Sequence, residues 1–404
     1  MKRVTGCLAN LLLAAGAVAL TLLLALAADH ALGWLDPGPP FPGFTGLIYP
    51  PNLDAQYRTH DYVCEERINA LGFRDREVPL EHGVAFRIVA IGDSFTYGWG
   101  VDLDKTWVKV LEGNLKKQGI NIEVLNLGKP AANPWQYANI AEKVIPLLKP
   151  DLVLVGVLAG DDLQQSPDPV RVLAFRVAHC FPHLIRLRND WEHFRGAPWV
   201  LYPQVPKSAE DSRQEWIRIG KDLLGQMSPE QRARFDHLED EVKKAFFDGA
   251  LNPWLLAHST GNPDYFMCTR DANDEELEGK TASLARQLGR LKRAADREKV
   301  PVLVLSIPEG FYVNDAAYRN VQRIGFHVDP KMLMSDVPDR AVEQACAQAG
   351  LRALTVSQGF RERRHDSGLY FELDRHFSAE GNRLFADLAT PAVAEAIAQS
   401  PKKQ

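Results

Sequence analysis

Two kinds of apolar patterning divide the chain. The first is a single uninterrupted block, Cys7 to Ala28, which carries no charge over 22 residues. That is enough for a helix to cross a bilayer. Lys2 and Arg3 precede it, whereas Asp29, Asp36 and Asp54 follow it before the next Lys or Arg, Arg58. This asymmetry keeps the N-terminus in the cytoplasm and places the rest of the chain outside. A cleavable signal peptide is the alternative reading of residues 1–28. Ala25-Leu26-Ala27 has the small-x-small form, but the block exceeds the roughly 7–15 apolar residues usual in such peptides. Residues 29–60, with Pro and Gly concentrated between Leu35 and Pro51, read as a stiff, extended tether.

The second kind of patterning begins near Ala85 and alternates strand with helix. Phe86–Ile91 is a continuous apolar run, as expected of a parallel strand buried on both faces. Asp104 is placed to cap a helix that turns Trp107, Val108, Val110, Leu111 and Leu115 inward. Ile122–Leu125 is a second strand. Asn133-Pro134 then offers a cap with proline at the first helical position, and Pro146 is expected to end or bend that helix. Leu152–Leu158 is a third buried strand. The strand–helix repeat predicts an α/β fold: a parallel sheet with right-handed crossovers and helices on both faces, in three layers.

The repeat breaks at Gln164. From there to about Glu278 the chain is polar, locally Trp-rich and mostly helical, with a capping box at Ser228-Pro229-Glu230-Gln231. Strands resume at Val302–Ile307 and Leu351–Val356, giving about five. Residues 61–400 therefore read as one domain interrupted by an insertion or lid at about 164–278. At 46% apolar, 25% charged and net charge −5, the composition suits such a domain and excludes a basic nucleic-acid track. Cysteines 7, 64, 180, 268 and 346 form no CxxC pair. Four of them allow three disulfide pairings outside the cell, with free buried thiols as the alternative. No metal or cofactor is expected. His179 and His183 are four apart with His193 beyond, too few ligands for zinc. Trp191, Trp199, Trp216 and Trp254 are candidates for a sugar-stacking or acyl-pocket surface, or for the insertion's own core.

The candidate chemistry sits at strand ends. Ser94 follows the first strand in Gly92-Asp93-Ser94-Phe95-Thr96-Tyr97, and Asp374-Arg375-His376 precedes a helix that Ser378 caps. A serine hydroxyl is a poor nucleophile at neutral pH unless a base takes its proton. His376 fits that role, with Asp374 orienting the imidazole. Glu372 is a lesser candidate partner, and His365-Asp366 is a second acid–histidine pair without a helix start beside it. The elbow sequence G-x-S-x-G is absent because residue 96 is threonine, which disfavours an α/β-hydrolase.

Four motifs in this order resemble the SGNH/GDSL hydrolase superfamily: Gly92-Asp93-Ser94, Asn126-Leu127-Gly128, Gly160-Asp161-Asp162 and Asp374-x-His376, each of the first three at a strand's end. Asn69-Ala70-Leu71-Gly72-Phe73-Arg74-Asp75 resembles a segment of its membrane-anchored bacterial members. The resemblance spans residues 69–381 without the insertion. It implies a flavodoxin-like sheet, Ser94, His376 and Asp374 as catalytic residues, and an oxyanion hole made by the N–H groups of Ser94 and Gly128 and by residue 161. The family has an asparagine amide at the last position. Asp161 replaces it, and an ionised carboxylate only accepts hydrogen bonds. Asp161 is then protonated, or turned away, or the enzyme is weak or inactive. The resemblance implies an esterase removing acyl groups, most simply acetyl, from an envelope carbohydrate or related ester. An O-acyltransferase on the same scaffold and a silent binding module are the alternatives. With the anchor, the expected place is the inner membrane, single pass, the N-terminus cytoplasmic and the domain periplasmic or extracellular. The membrane is met through residues 7–28, and no nucleic-acid partner is expected.

Overall fold

The computed structural model describes residues 2–35, 53–81, 83, 85–165, 180–181, 183–184, 187 and 208–400. The chain divides into two compact units, residues 1–49 with 167–203 and residues 50–166 with 204–404. In the first unit helix α1 runs from Lys2 to Leu35, seven residues beyond the expected end at Ala28. Its segment Leu12–Leu35, 24 residues of mean hydropathy 2.2, is long and apolar enough to cross a membrane. Within this unit the Asp29 carboxylate accepts a hydrogen bond from the Leu184 N–H at 2.7 Å. The Pro-rich stretch 36–52 and residues His179, His193, Trp191 and Trp199 lie outside the described residues.

The second unit opens with a hairpin. Strands β1 (Leu53–Arg58) and β2 (Val63–Ile68) pair antiparallel from Leu53 opposite Ile68 to Arg58 opposite Val63. This corrects the tether expectation for residues 53–60, which belong to a folded element. Alternation explains it: Ala55, Tyr57, Cys64, Glu66 and Ile68 are buried while their neighbours face out.

The sheet follows. Strands β3 (Phe86–Gly92), β4 (Ile122–Gly128), β5 (Leu152–Leu158), β6 (Val302–Ile307) and β7 (Arg352–Thr355) lie in the order β4-β3-β5-β6-β7, all parallel. Ile88 to Ile91 are fully buried, which is why that run shows no alternation. The chain steps from β3 to β4 on one side, then crosses back to β5 on the other. The direction of winding reverses beside the carboxyl end of β3, and such a crevice is where α/β sheets bind ligands.

Helix α2 (Ser94–Tyr97) starts there. Helices α3 (Trp107–Lys117) and α4 (Pro134–Leu148) complete the first crossovers. Thr106, rather than Asp104, caps α3: its hydroxyl accepts from Lys109 N–H, while Asp104 sits in a single 3-10 turn. Asn133 and Gln136 form a capping box on α4, and Pro146 lies inside that helix, which continues to Leu148. The short α5 (Asp161–Gln164) follows β5.

The described part of the insertion is helical: α6 (Ala209–Gln226), α7 (Pro229–Asp236), α8 (Asp240–Phe247) and α9 (Pro253–Gly261). It does not stand apart as a lid. Phe235, Val242, Phe246, Leu256 and Phe266 join one apolar core with Ile307, Phe311 and Phe326 of the sheet domain. Trp216 is buried against Tyr57 at 6.0 Å between ring centroids, whereas Trp254 is exposed. Helices α10 (Glu275–Arg297), α11 (Asp315–Arg323), α12 (Val337–Ala349), α13 (Ser357–Arg361) and α14 (Ala379–Gln399) complete the unit. Helix α10 packs between α4 and α12, and α3 packs against α14, forming the two outer layers. Cys64, Cys268 and Cys346 are buried thiols outside any disulfide.

Candidate active site

Ser94 is the first residue of α2. Asp93 is the N-cap, its carboxylate accepting from the Phe95 N–H at 2.9 Å, so the serine hydroxyl is not used for capping. Closeness fixes the glycine at residue 128. A β-carbon there would lie 2.1 Å from the Tyr97 nitrogen and 2.5 Å from the Thr96 carbonyl carbon, inside the backbone of α2. Gly128→Ala is accordingly expected to cost at least about 2 kcal/mol, because backbone rather than a pliable side chain must move. A lowered urea midpoint of the full-length protein in detergent checks this; an unchanged midpoint refutes the close packing.

The Asn69–Asp75 segment braces the same corner. Asn69 Oδ1 closes its own turn by accepting from Leu71 N and Phe73 N, each at 3.0 Å. Arg74 is buried and reaches the far end of α2, donating to the carbonyls of Gly98 at 2.6 Å, Tyr97 at 3.1 Å and Val101. Asp75 pairs with Lys109 at 2.6 Å and accepts from Asn126 N at 2.7 Å. The quoted segment thus ties α2 to β4.

His376 and Asp374 arrive on the loop before α14. Arg375 between them has φ of +72°, a left-handed conformation unusual for a side chain of this size. It turns the chain so that the flanking side chains meet. Glu309 holds it, with Arg375 Nη2 donating to Glu309 Oε1 at 2.7 Å, and its guanidinium lies 5.1 Å from the rings of both Phe266 and Phe326. His376 Nε2 then stands 2.7 Å from Ser94 Oγ, and Nδ1 is hydrogen-bonded to Asp374 Oδ1. The other Asp374 oxygen accepts from Tyr62 OH and from Trp99 Nε1, each at 3.3 Å. The Phe95 ring packs 4.8 Å from the imidazole.

Electrostatics suit a base. Burial alone would lower the His376 pKa, but the charge and hydrogen bond of Asp374, assisted by Asp93, outweigh it and leave the pKa raised. Burial, then repulsion from Asp161, pushes Asp93 up to about 7. Burial, then Asp93 and Asp161, pushes Asp162 well above the carboxylate range. Asp162 is structural: it accepts from Leu158 N at 2.9 Å and from Tyr137 OH at 3.0 Å.

The expected oxyanion donors fare differently. The Ser94 N–H has no acceptor among the described residues. The Gly128 N–H donates to Asn126 Oδ1 at 3.0 Å, so the donor expected at this strand end is already engaged by a side chain of its own strand. Asp161 accepts from Gln165 Nε2 and lies within hydrogen-bonding reach of the Tyr265 phenol, which comes from the insertion.

Neither alternative partner joins the line of Ser94, His376 and Asp374. Glu372 pairs with Arg323, and His365 bonds Asp315 at 2.7 Å on the surface rather than Asp366. Among the described residues no cluster of three or more His, Cys, Asp or Glu is arranged to hold a metal. Tyr62, Trp99, Glu309 and Tyr265 carry no spacing signal in the sequence; only folding brings them here.

No protein-family model matches the chain, and no curated protein does. Solved structures align with much of its length at low identity. One titled TesA aligns over 76% of this chain and 98% of its own at 12% identity, TM-score 0.36. A psychrotrophic esterase from Pseudoalteromonas sp., inhibited by monoethylphosphonate, aligns over 78% and 100% at 10% identity, TM-score 0.37. A lipase/acylhydrolase from Enterococcus faecalis aligns over 79% and 98% at 13% identity, TM-score 0.38. At such identities and scores the geometry of the site, not the likeness, carries the functional reading.

Proposed function

We propose that this chain is a serine esterase of the SGNH/GDSL type, exported and held at the inner membrane by α1, that removes acyl groups, most simply acetyl, from an envelope carbohydrate or a related ester. The observation that carries the reading is the contact of Ser94 Oγ with His376 Nε2 at 2.7 Å, with Asp374 on the opposite imidazole nitrogen. In acylation Ser94 Oγ bonds the ester carbonyl carbon and passes its proton to His376 Nε2. The C–O bond to the alcohol breaks, and the alcohol leaves with that proton. In deacylation His376 takes a proton from water, whose oxygen bonds the acyl carbon as the Oγ–C bond breaks. The proton then returns to Oγ. Asp374 holds the ring through its hydrogen bond to Nδ1.

The test uses full-length protein in detergent. A fluorophosphonate is expected to label it at Ser94, located by peptide mass spectrometry, and aryl acetates to be hydrolysed with release of acetate. A label elsewhere, or none together with no turnover, defeats the reading. Acetyl transfer to an added oligosaccharide exceeding hydrolysis makes the protein a transferase on the same serine.

One feature favours a slow enzyme. Asp161 stands where an amide is expected and engages donors of its own. A carboxylate there offers no amide donor to the intermediate's oxyanion, and losing one such donor costs about 10²–10³ in turnover. Asp161→Asn is therefore expected to raise kcat for aryl acetate by about tenfold or more. An unchanged kcat places residue 161 away from the oxyanion.

A further inference from the structure

We infer that Asp61 is a positioning residue for the triad acid, holding the loop that carries Asp374 in the one conformation in which its carboxylate meets His376. This rests on the esterase reading above and deepens it.

Asp61 lies in the turn of the β1–β2 hairpin, outside the sheet and outside every motif quoted above. The turn is locked locally. Thr59 Oγ1 accepts from Asp61 N at 3.1 Å and from Tyr62 N at 3.0 Å, and Thr59 N donates to Tyr62 O at 2.9 Å. So fixed, the Asp61 carboxylate receives three successive backbone N–H groups from the distant loop. Oδ1 accepts from Glu372 at 2.8 Å, and Oδ2 accepts from Leu373 at 3.0 Å and from Asp374 at 2.8 Å. Consecutive N–H groups converging on one anion make a nest, a fixed site for negative charge. Here the anion belongs to the protein, and the nest is the backbone of the triad acid.

Three features separate this from an ordinary stabilising contact. The first is its target: the last of the three N–H groups is that of Asp374 itself. The second is its neighbour. Tyr62, the next residue of the turn, donates its hydroxyl to Asp374 Oδ2 at 3.3 Å, so one turn fixes both the backbone and the side chain of the same residue. The third is its cost. Asp61 sits close enough to Asp374 for the two carboxylates to repel, and burial and that repulsion raise the Asp61 pKa against the three N–H bonds. A loop needing only cohesion is better served by a neutral acceptor. A rigid one is needed here, because residues 372–376 form no regular element and Arg375 is already in a left-handed conformation.

If the clamp is loosened, Asp374 withdraws from Nδ1. The charged groups that act on His376 include Asp374, Asp93 and Arg375, and the buried carboxylate of Glu309 also interacts with it. Of these Asp374 is the one Asp61 controls. The imidazole should then lose its raised pKa, and proton transfer from Ser94 should slow, while substrate binding is left unchanged. Misplacing a reacting group by about 1 Å costs up to about 10²-fold.

The experiment compares full-length wild type with Asp61→Ala, Asp61→Asn and Tyr62→Phe in detergent. Active sites are counted with a fluorophosphonate, and the His376 titration is followed by NMR of 13C-labelled histidine, assigned with His376→Gln. Asp61→Ala is expected to lower kcat per active site by about tenfold to a hundredfold with KM within about twofold. It should also move the His376 titration down toward ordinary imidazole. Asp61→Asn, which keeps one accepting oxygen but carries no charge, should fall between. Tyr62→Phe, which removes one bond and leaves the turn, should shift the titration the same way by less. A per-site kcat within about twofold of wild type together with an unmoved His376 titration overturns the proposal, even if Asp61→Ala lowers stability. Should Asp61→Ala fail to fold, the other two variants decide by the same readouts. A wild type that neither labels nor hydrolyses defeats the esterase reading instead. The imidazole titration, which needs no turnover, then decides the place of Asp61 alone.

Discussion

Ser94→Ala is expected to lower ester hydrolysis by about 10⁴–10⁶-fold and to abolish fluorophosphonate labelling, with the fold unchanged. The size follows from what the hydroxyl does. It faces the His376 imidazole at 2.7 Å and forms the bond through which the acyl group would pass. Without it, on the proposed mechanism, water must attack the ester with help from the oxyanion donors alone, and the expected ones are reduced: Gly128 N–H is engaged by Asn126, and residue 161 is a carboxylate. The residual rate should therefore fall nearer the uncatalysed one than in enzymes with a complete hole. The same structure explains why the fold survives. Asp93 caps α2, Arg74 binds its far end, and the serine hydroxyl contributes to neither. An alanine protein with a native urea midpoint and no turnover places the chemistry at residue 94. Retained turnover or labelling moves the nucleophile elsewhere.

Such a test is conceivable from the sequence because the strands that carry the site are buried on both faces. Phe86–Ile91 and Leu152–Leu158 announce themselves as unbroken apolar runs, and their ends fix where Ser94 and Asp161 must lie. The β1–β2 hairpin has no such signature. Its inward positions include Glu66, which is buried because Tyr97 OH donates to it at 2.7 Å, a partner 31 residues away. On β1, the strand that reads as tether, the inward row is only Ala55 and Tyr57 beside a Pro- and Gly-rich stretch, too short a pattern to stand out from a linker. The cap of α3 shows a local version of the same limit. Asp104 and Thr106 are both competent caps, and the choice of Thr106 depends on a 3-10 turn at 103–105 that composition does not dictate.

The site divides along the same line. Ser94, His376 and Asp374 carry chemistry in their own types and spacing, so they are visible before folding. Asp61, Tyr62, Trp99 and Glu309 act on those three only through tertiary contacts. The oxyanion residues lie between these cases. Glycine at 128 is readable as a close-packing requirement, but the engagement of its N–H by Asn126 two residues earlier depends on a rotamer.

Asp374→Asn is expected to lower kcat/KM by about 10⁴-fold, a loss out of proportion to a single changed atom, because of what surrounds the second oxygen. In the wild type one oxygen accepts from His376 Nδ1, and the other accepts from Trp99 Nε1 and Tyr62 OH. An indole N–H donates only, so it cannot face an amide NH2. The substituted amide must therefore turn its oxygen toward Trp99 and its NH2 toward the imidazole. Nδ1 then accepts, Nε2 carries the proton, and the atom that should receive the Ser94 proton is occupied. The pH profile separates this from simple loss of charge. In the wild type the rate rises with pH as His376 loses its proton, with a midpoint above the unperturbed imidazole value of about 6.5. Asp374→Asn removes the Coulombic support, so the midpoint falls. The plateau above it stays low, because deprotonation leaves the wrong tautomer. Trp99→Phe in the Asp374→Asn background removes the obligatory donor and lets the amide turn back, so the double variant is expected to regain about tenfold over Asp374→Asn. A plateau that recovers at high pH in Asp374→Asn alone, or no gain in the double variant, shows that Trp99 does not set the orientation of residue 374.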